Sequence, residues 1–197
     1  MSRRVRIILE IYRARVSGAT WRGVAAWLAR GGYFSRSMHV ENTAAVIDAL
    51  ARAPEIVVPL VREVSRPILK RRPAPGRWSA HEHACHLAHV HALFFDRLDL
   101  MLSAPAPVIH PYQPGEQDAD DLLLTMELDP SLDRYVADRT RLVARLRELS
   151  PAEWARTAAH GEYREYSVFI MFRHLALHDF LHAYRIEELL LRPDWGV

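Results

Sequence analysis

Apolar residues recur every three or four positions along most of the chain beyond residue 40, the period of helices with one buried face. Asn42 is placed to cap a first helix carrying Val46, Ile47 and Leu50. Pro54 is expected to interrupt that helix, and "PEIVVPLVREVSRPIL" resumes the pattern to about Pro67. "KRRPAPGRW" reads as a connector. In "SAHEHACHLAHVHALFFDRLDLML", Ser79 and Glu82 stand at capping-box spacing, so a second helix starts there, with Leu87, Val90, Phe94 and Leu98 as its apolar stripe. Prolines 105, 107, 111 and 114 and a cluster of acids mark residues 104–129 as a long connection, with a short helical turn within 120–127. "SLDRYVADRTRLVARLREL" predicts a third helix facing inward through Leu132, Val136, Leu142, Val143, Leu146 and Leu149. Ser150, Pro151 and Glu153 begin a short turn around Trp154, and "TAAHGEYREYS" reads as irregular or as a small hairpin. The last helix spans about 167–191 and stops before Pro193. Four long helices, one long crossover and no convincing strand make an all-α four-helix bundle.

Charge divides the chain. Eight of its 26 basic residues but only one of its 24 acids, Glu10, fall in residues 1–36, a net +7; the remaining 18 basic and 23 acidic residues give −5. Residues 1–37 therefore read as a basic N-terminal helical extension and 38–197 as the bundle domain. The extension resembles a surface-binding or transit-like segment, or an upstream start ahead of Met38. The mildly acidic body disfavours a nucleic-acid partner. The lone cysteine, Cys85, offers no intrachain disulfide and fits a cytoplasmic protein. No apolar run approaches the roughly 20 residues of a membrane span.

Histidines are the unusual chemistry. Five of eleven (His81, His83, His86, His89, His91) fall on the second helix, and His174, His178 and His182 follow one another at intervals of four on the last. Side chains four apart share a face, so two ligands on one helix and a third from a neighbour can surround one ion. Such a set leaves room for water or substrate, whereas most of the second-helix cluster is expected to be solvated. Periodicity does not choose which of its members faces the last helix.

The segments "RPAPGRWSAHEHACHLAHVHALFFDRLDLML" and "LSPAEWARTAAHGEYREYSVFIMFRHLALHDFLHAYRIEELL" resemble the DinB-like superfamily over about residues 42–191. The most specific elements are the WSxxE helix opening with its later "HL" pair, and the final RHxxxHDxxH helix. The resemblance implies an up-down-down-up four-helix bundle holding a divalent metal (zinc, nickel or iron) through His86, His178 and His182. It departs from many relatives in ending "HAYRI" rather than "HLxQI", so that Tyr184 and Arg185 replace a polar amide region. Glu82 is better explained by capping than as a support for His86, and Asp179 as a surface or interhelix partner. Cys85 reads as a core residue, and His160 and Tyr163 border the pocket mouth or belong to a polar loop.

The family resemblance implies a metal-dependent transferase using a low-molecular-weight thiol, or a hydrolase, acting on a small molecule. The competing reading is a non-catalytic metal-stabilised bundle for binding or dimerisation. A homodimer is expected from exposed apolar helix faces. An accessible metal face beside a pocket separates the first reading from the second.

Overall fold

In a computed structural model of the protein, residues 37–112 and 121–195 are described. The basic extension expected over residues 1–37 lies outside them except for Ser37. The elements are α1 (Ser37–Glu63), α2 (Arg66–Leu69), α3 (Ala80–His89), α4 (His91–Ser103), β1 (Val108–Ile109), α5 (Leu122–Thr125), α6 (Leu128–Glu148), α7 (Pro151–Trp154), β2 (Ala159–His160), α8 (Val168–Leu190) and a 3₁₀ turn (Pro193–Trp195). No described helix is long and apolar enough to cross a membrane.

The core forms two clusters, and the order in which each helix joins them gives the topology. Helix α1 enters the first cluster with Val46 and Leu50, then the second with Val57 and Val61. Helices α3 and α4 run the other way, from Ala84 and Leu87 in the second to Phe94 and Leu98 in the first. Helix α6 follows that direction from Leu132 to Leu146, and α8 returns from Phe172 to Ile186. This is up-down-down-up. Because α4 and α6 are parallel neighbours, their connection has to return along a bundle about 30 Å long, and its described parts are residues 104–112 and 121–127.

Two expectations change at α1. It begins at Ser37, so Asn42 lies inside it, and it runs through both Pro54 and Pro59. Proline cannot donate to the carbonyl four residues earlier. The freed Leu50 carbonyl accepts instead from Arg139 Nη1 at 3.3 Å, and the carbonyl freed by Pro59 belongs to the exposed Glu55. A tertiary donor thus replaces the lost helical one, and the helix continues.

The second helix keeps its predicted pattern, whereas the third departs from its own. The hydrogen bonding of α3 passes into α4 through Val90, and the predicted stripe of Leu87, Val90, Phe94 and Leu98 is buried. On α6, Leu132, Leu142, Val143 and Leu146 are buried as expected, Leu149 is half-buried, and Val136 is 41% exposed. The inward row is 132, 135, 139, 142 and 146, so Tyr135 and Arg139 occupy core positions.

Arg139 centres a polar layer between the two apolar clusters. Its guanidinium pairs with the fully buried Asp179 and also donates to His91 Nε2 at 2.9 and 3.2 Å. Tyr135 donates its hydroxyl to Asp179 Oδ2 at 3.2 Å and stacks on His91. Every long helix supplies a member, which fixes their relative register.

The buried His91 ring should make stability acid-sensitive. Burial and the neighbouring Arg139 cation push its pKa down to about 3 from an ordinary 6.5. The unfolded chain therefore takes up this proton below about pH 6.5, while the folded chain resists until about pH 3, so this contribution to stability falls through that window. His91→Gln keeps an acceptor for Arg139 without the titrating ring. Urea midpoints measured between about pH 6 and pH 4 should show its stability falling less steeply, by up to about 1.4 kcal/mol per pH unit. An unchanged slope would mean that His91 titrates normally.

The irregular segments also acquire structure. β1 and β2 pair in parallel, Val108 opposite Ala159 and Ile109 opposite His160, and a single antiparallel bridge joins Thr157 to Ser167. The suggested hairpin is therefore only this bridge, and the main partner of 159–160 is the crossover. A Cβ on Gly161 would lie 3.2 Å from Pro111 Cδ, so glycine permits this close approach. The expected helical turn in the crossover is α5. Lys70 donates to the Leu124 carbonyl at 2.7 Å, and Arg72 bridges Glu82 and Asp121, tying α5 to the start of α3.

Candidate metal centre

Local sequence fixes where α3 begins and hence which histidines reach α8. Ser79 Oγ accepts from the Glu82 backbone N–H at 3.3 Å, and Glu82 Oε2 accepts from the Ser79 N–H at 2.8 Å. Glu82 is buried. Burial would raise its pKa, but the bonds from Arg72 and Ser79 outweigh that and hold it below the usual range. Its carboxylate is thereby committed to the cap. From this start, His83 and His86 lie one turn apart on the side toward α8, which presents His178 and His182.

One ring nitrogen from each of His86, His178 and His182 lies within 4.8 Å of the others. His178 Nε2 is 3.1 Å from His86 Nε2 and 3.0 Å from His182 Nε2. His86 and His182 are buried and His178 is half-buried. Burial and the surrounding imidazoles push the pKa of His182 down and lower that of His86 to about 3, so both rings are neutral at pH 7. A neutral ring nitrogen has either one proton or one lone pair. His178 Nε2 can thus form a hydrogen bond with one of its two neighbours and not both, leaving one facing nitrogen unmatched. A divalent cation would accept all three lone pairs. Three nitrogens about 2.1 Å from a tetrahedral zinc ion stand roughly 3.4 Å apart, a few tenths of an ångström beyond the two contacts given above. The donor set therefore fits an ion that takes imidazole.

Among the described residues, no further histidine, cysteine or carboxylate joins this set. Cys85 is a buried core residue, its Sγ 3.5 Å from His81 Nε2. Asp179 faces the polar layer as an interhelix partner. Burial pushes its carboxyl up, but the His178 ring 4.0 Å from Oδ1 and the Arg139 guanidinium on Oδ2 more than offset this and hold it below the usual carboxylate range.

A cavity of about 310 Å³ adjoins the three histidines. Its other walls include Trp78, Tyr112, Tyr163, Tyr166, Arg97 and His174. Trp78 lies over the set, its ring 4.7 Å from that of His86 and 5.9 Å from that of His182. The β1–β2 pairing brings Tyr112 and His160 to the same opening. His160 Nδ1 accepts from the backbone N–H groups of Glu162 and Tyr163, and its ring packs against both Tyr163 and Tyr166. His160 and Tyr163 therefore border the cavity, whereas His174 is an exposed wall residue packed edge-on to Tyr163.

The expectation that the second-helix histidines are mostly solvated is overturned. His81, His86 and His91 are buried, and His83 and His89 are partly so. Helices α6 and α8 and the crossover cover α3 and α4 on several sides, which a single-helix wheel cannot show. Tyr184 and Arg185, the departure in the last motif, are exposed and absent from the cavity walls, so they leave its shape untouched.

Residues 49–186 match the family model of the DinB superfamily, well over half of the chain. The chain belongs to the DinB superfamily. A protein of Oceanobacillus iheyensis that carries the provisional name of a metal-dependent hydrolase is 29% identical to this DinB chain over 150 residues, covering 76% of it and 86% of the relative. YfiT from Bacillus subtilis, described as a probable metal-dependent hydrolase with an unusual four-helix bundle topology, superposes with a TM-score of 0.69 at 23% identity. The match spans 78% of this DinB chain and 89% of YfiT, and establishes the shared bundle.

Proposed function

We propose that this DinB protein is a metal-dependent hydrolase of a small molecule, with His86, His178 and His182 holding a divalent ion such as zinc, nickel or iron. The observation that carries this reading is the convergence of three imidazole nitrogens on the wall of a cavity. A set closed by a fourth protein donor would favour a purely structural ion; an open set of three favours chemistry. When bound, the ion supplies Lewis acidity and an activated nucleophile at neutral pH.

The chain's own residues would do the rest. Trp78 and the tyrosines wall the site and exclude bulk water from one side of the histidines. Arg97, anchored by donation from Nη2 to the His110 carbonyl at 2.7 Å, places a fixed cation in the same cavity. At about 310 Å³ the space lies at the small end of ligand sites, which favours a compact substrate.

The test is a panel of esters, amides and phosphoesters with metal-reconstituted protein, run with and without a low-molecular-weight thiol. Turnover is expected with metal and without thiol, and should fall at least 100-fold on chelation or in His178→Ala. Strictly thiol-dependent consumption would assign the site to transfer instead. Hydrolysis unchanged by chelation would contradict the proposal.

A further inference from the structure

The edges of the three imidazoles turned away from the shared centre are not equivalent. Nδ1 of His86 and Nδ1 of His178 are buried and meet no hydrogen-bond partner among the described residues. Nδ1 of His182, in contrast, lies 2.7 Å from Nδ1 of His83, while its Nε2 faces His178. The two contacts use opposite edges of one ring, so His83 approaches His182 from behind the set.

Such a short contact between two ring nitrogens requires one to carry a proton and the other a lone pair. If His182 offers the Nε2 lone pair to an ion, its single proton must reside on Nδ1. His83 Nδ1 is then the acceptor, and the proton of the neutral His83 ring sits on its own Nε2. His83 is held for this role. It precedes His86 by one turn on the capped helix α3, and its ring packs edge-on against Trp78 at 5.5 Å, while Trp78 also lies over His86 and His182.

We propose that His83 is a positioning residue that accepts the Nδ1 proton of His182, fixing the tautomer and ring orientation in which His182 Nε2 faces the metal. This rests on the three-histidine reading above and adds to it a fourth histidine that does not itself touch the ion. A partner behind a ligating imidazole ordinarily supports metal affinity by about 10- to 100-fold.

Two substitutions separate acceptance from packing. His83→Phe keeps a ring against Trp78 but removes the acceptor. His83→Asn loses the ring but places an amide oxygen near the position of Nδ1. Zinc affinity, measured by competition with a chromophoric chelator on folded protein, is expected to fall about 10- to 100-fold in His83→Phe and to stay within a few-fold of wild type in His83→Asn. The visible bands of the cobalt(II)-substituted protein should shift in His83→Phe and return toward wild type in His83→Asn. Ring ¹⁵N shifts of His182 should place its proton on Nδ1 in the wild-type protein. Wild-type affinity in His83→Phe would overturn the proposal and leave the three-histidine site standing, as would equal losses in both variants. Zinc binding that is absent in the wild type, or unaltered by the His178→Ala/His182→Ala pair, would sink the three-histidine reading and this proposal together.

Discussion

Asp179→Ala is expected to lower the stability of the bundle by about 3–5 kcal/mol, the usual consequence of removing one member of a buried ion pair. Arg139 is 1% exposed, so its charge would remain in the interior with His91 Nε2 and the Leu50 carbonyl as its acceptors among the described residues. Tyr135 would also lose the acceptor of its hydroxyl. Domains ordinarily have only about 5–15 kcal/mol to lose, so the variant should unfold at far lower urea concentration, with its m value little changed. Replacing both partners, as in Arg139→Met with Asp179→Leu, should recover part of the loss by removing the stranded charge. Recovery should be incomplete, because Pro54 still leaves the Leu50 carbonyl without a helical donor and Arg139 is its substitute. A loss under about 1 kcal/mol in Asp179→Ala would mean that the pair does not hold the layer together.

The second large effect concerns the metal centre. An ion that binds the folded chain and not the unfolded one stabilises it by about 4 kcal/mol at a thousandfold excess over its dissociation constant. For a chain of this size that corresponds to a rise of roughly 8–16 °C in Tm. Chelation should reverse the rise. His178→Ala should abolish it, since this ring supplies the nitrogen in contact with both others. Melting curves of the wild-type protein that coincide with and without metal would contradict the account.

The long elements were readable because spacing alone encodes them: the Ser79–Glu82 cap, the Leu87–Leu98 stripe and the Ser150–Glu153 turn lie where the pattern puts them. What misled was polarity in apolar rows. Arg139 falls on the inward face of α6 as strictly as Leu142 does, but a charged residue reads as surface until its partners on other helices are known. Pro54 read as a break for the same reason, since the donor that makes it tolerable, Arg139, lies 89 residues beyond the Leu50 carbonyl it serves. The β1–β2 pair is too short for any period to register. At the metal centre, the four-residue spacing marked His174, His178 and His182 alike, and the family motif singled out His178 and His182. The choice of His86 over its four neighbours came from the family motif, because a crowded histidine helix offers imidazoles in most directions. Trp78 was visible as part of the helix-opening motif, whereas Tyr112 and Tyr166 reach the cavity only through the folding of the two loops.

The central claim is that His86, His178 and His182 together hold a divalent ion, and metal content measures it most directly. Plasma mass spectrometry on untagged wild-type protein should find zinc, nickel or iron near one ion per chain. Both His86→Ala and the His178→Ala/His182→Ala double variant should lose it. No metal in the wild type even after reconstitution, or unaltered content in both variants, would contradict it and leave the histidines as polar packing between α3 and α8.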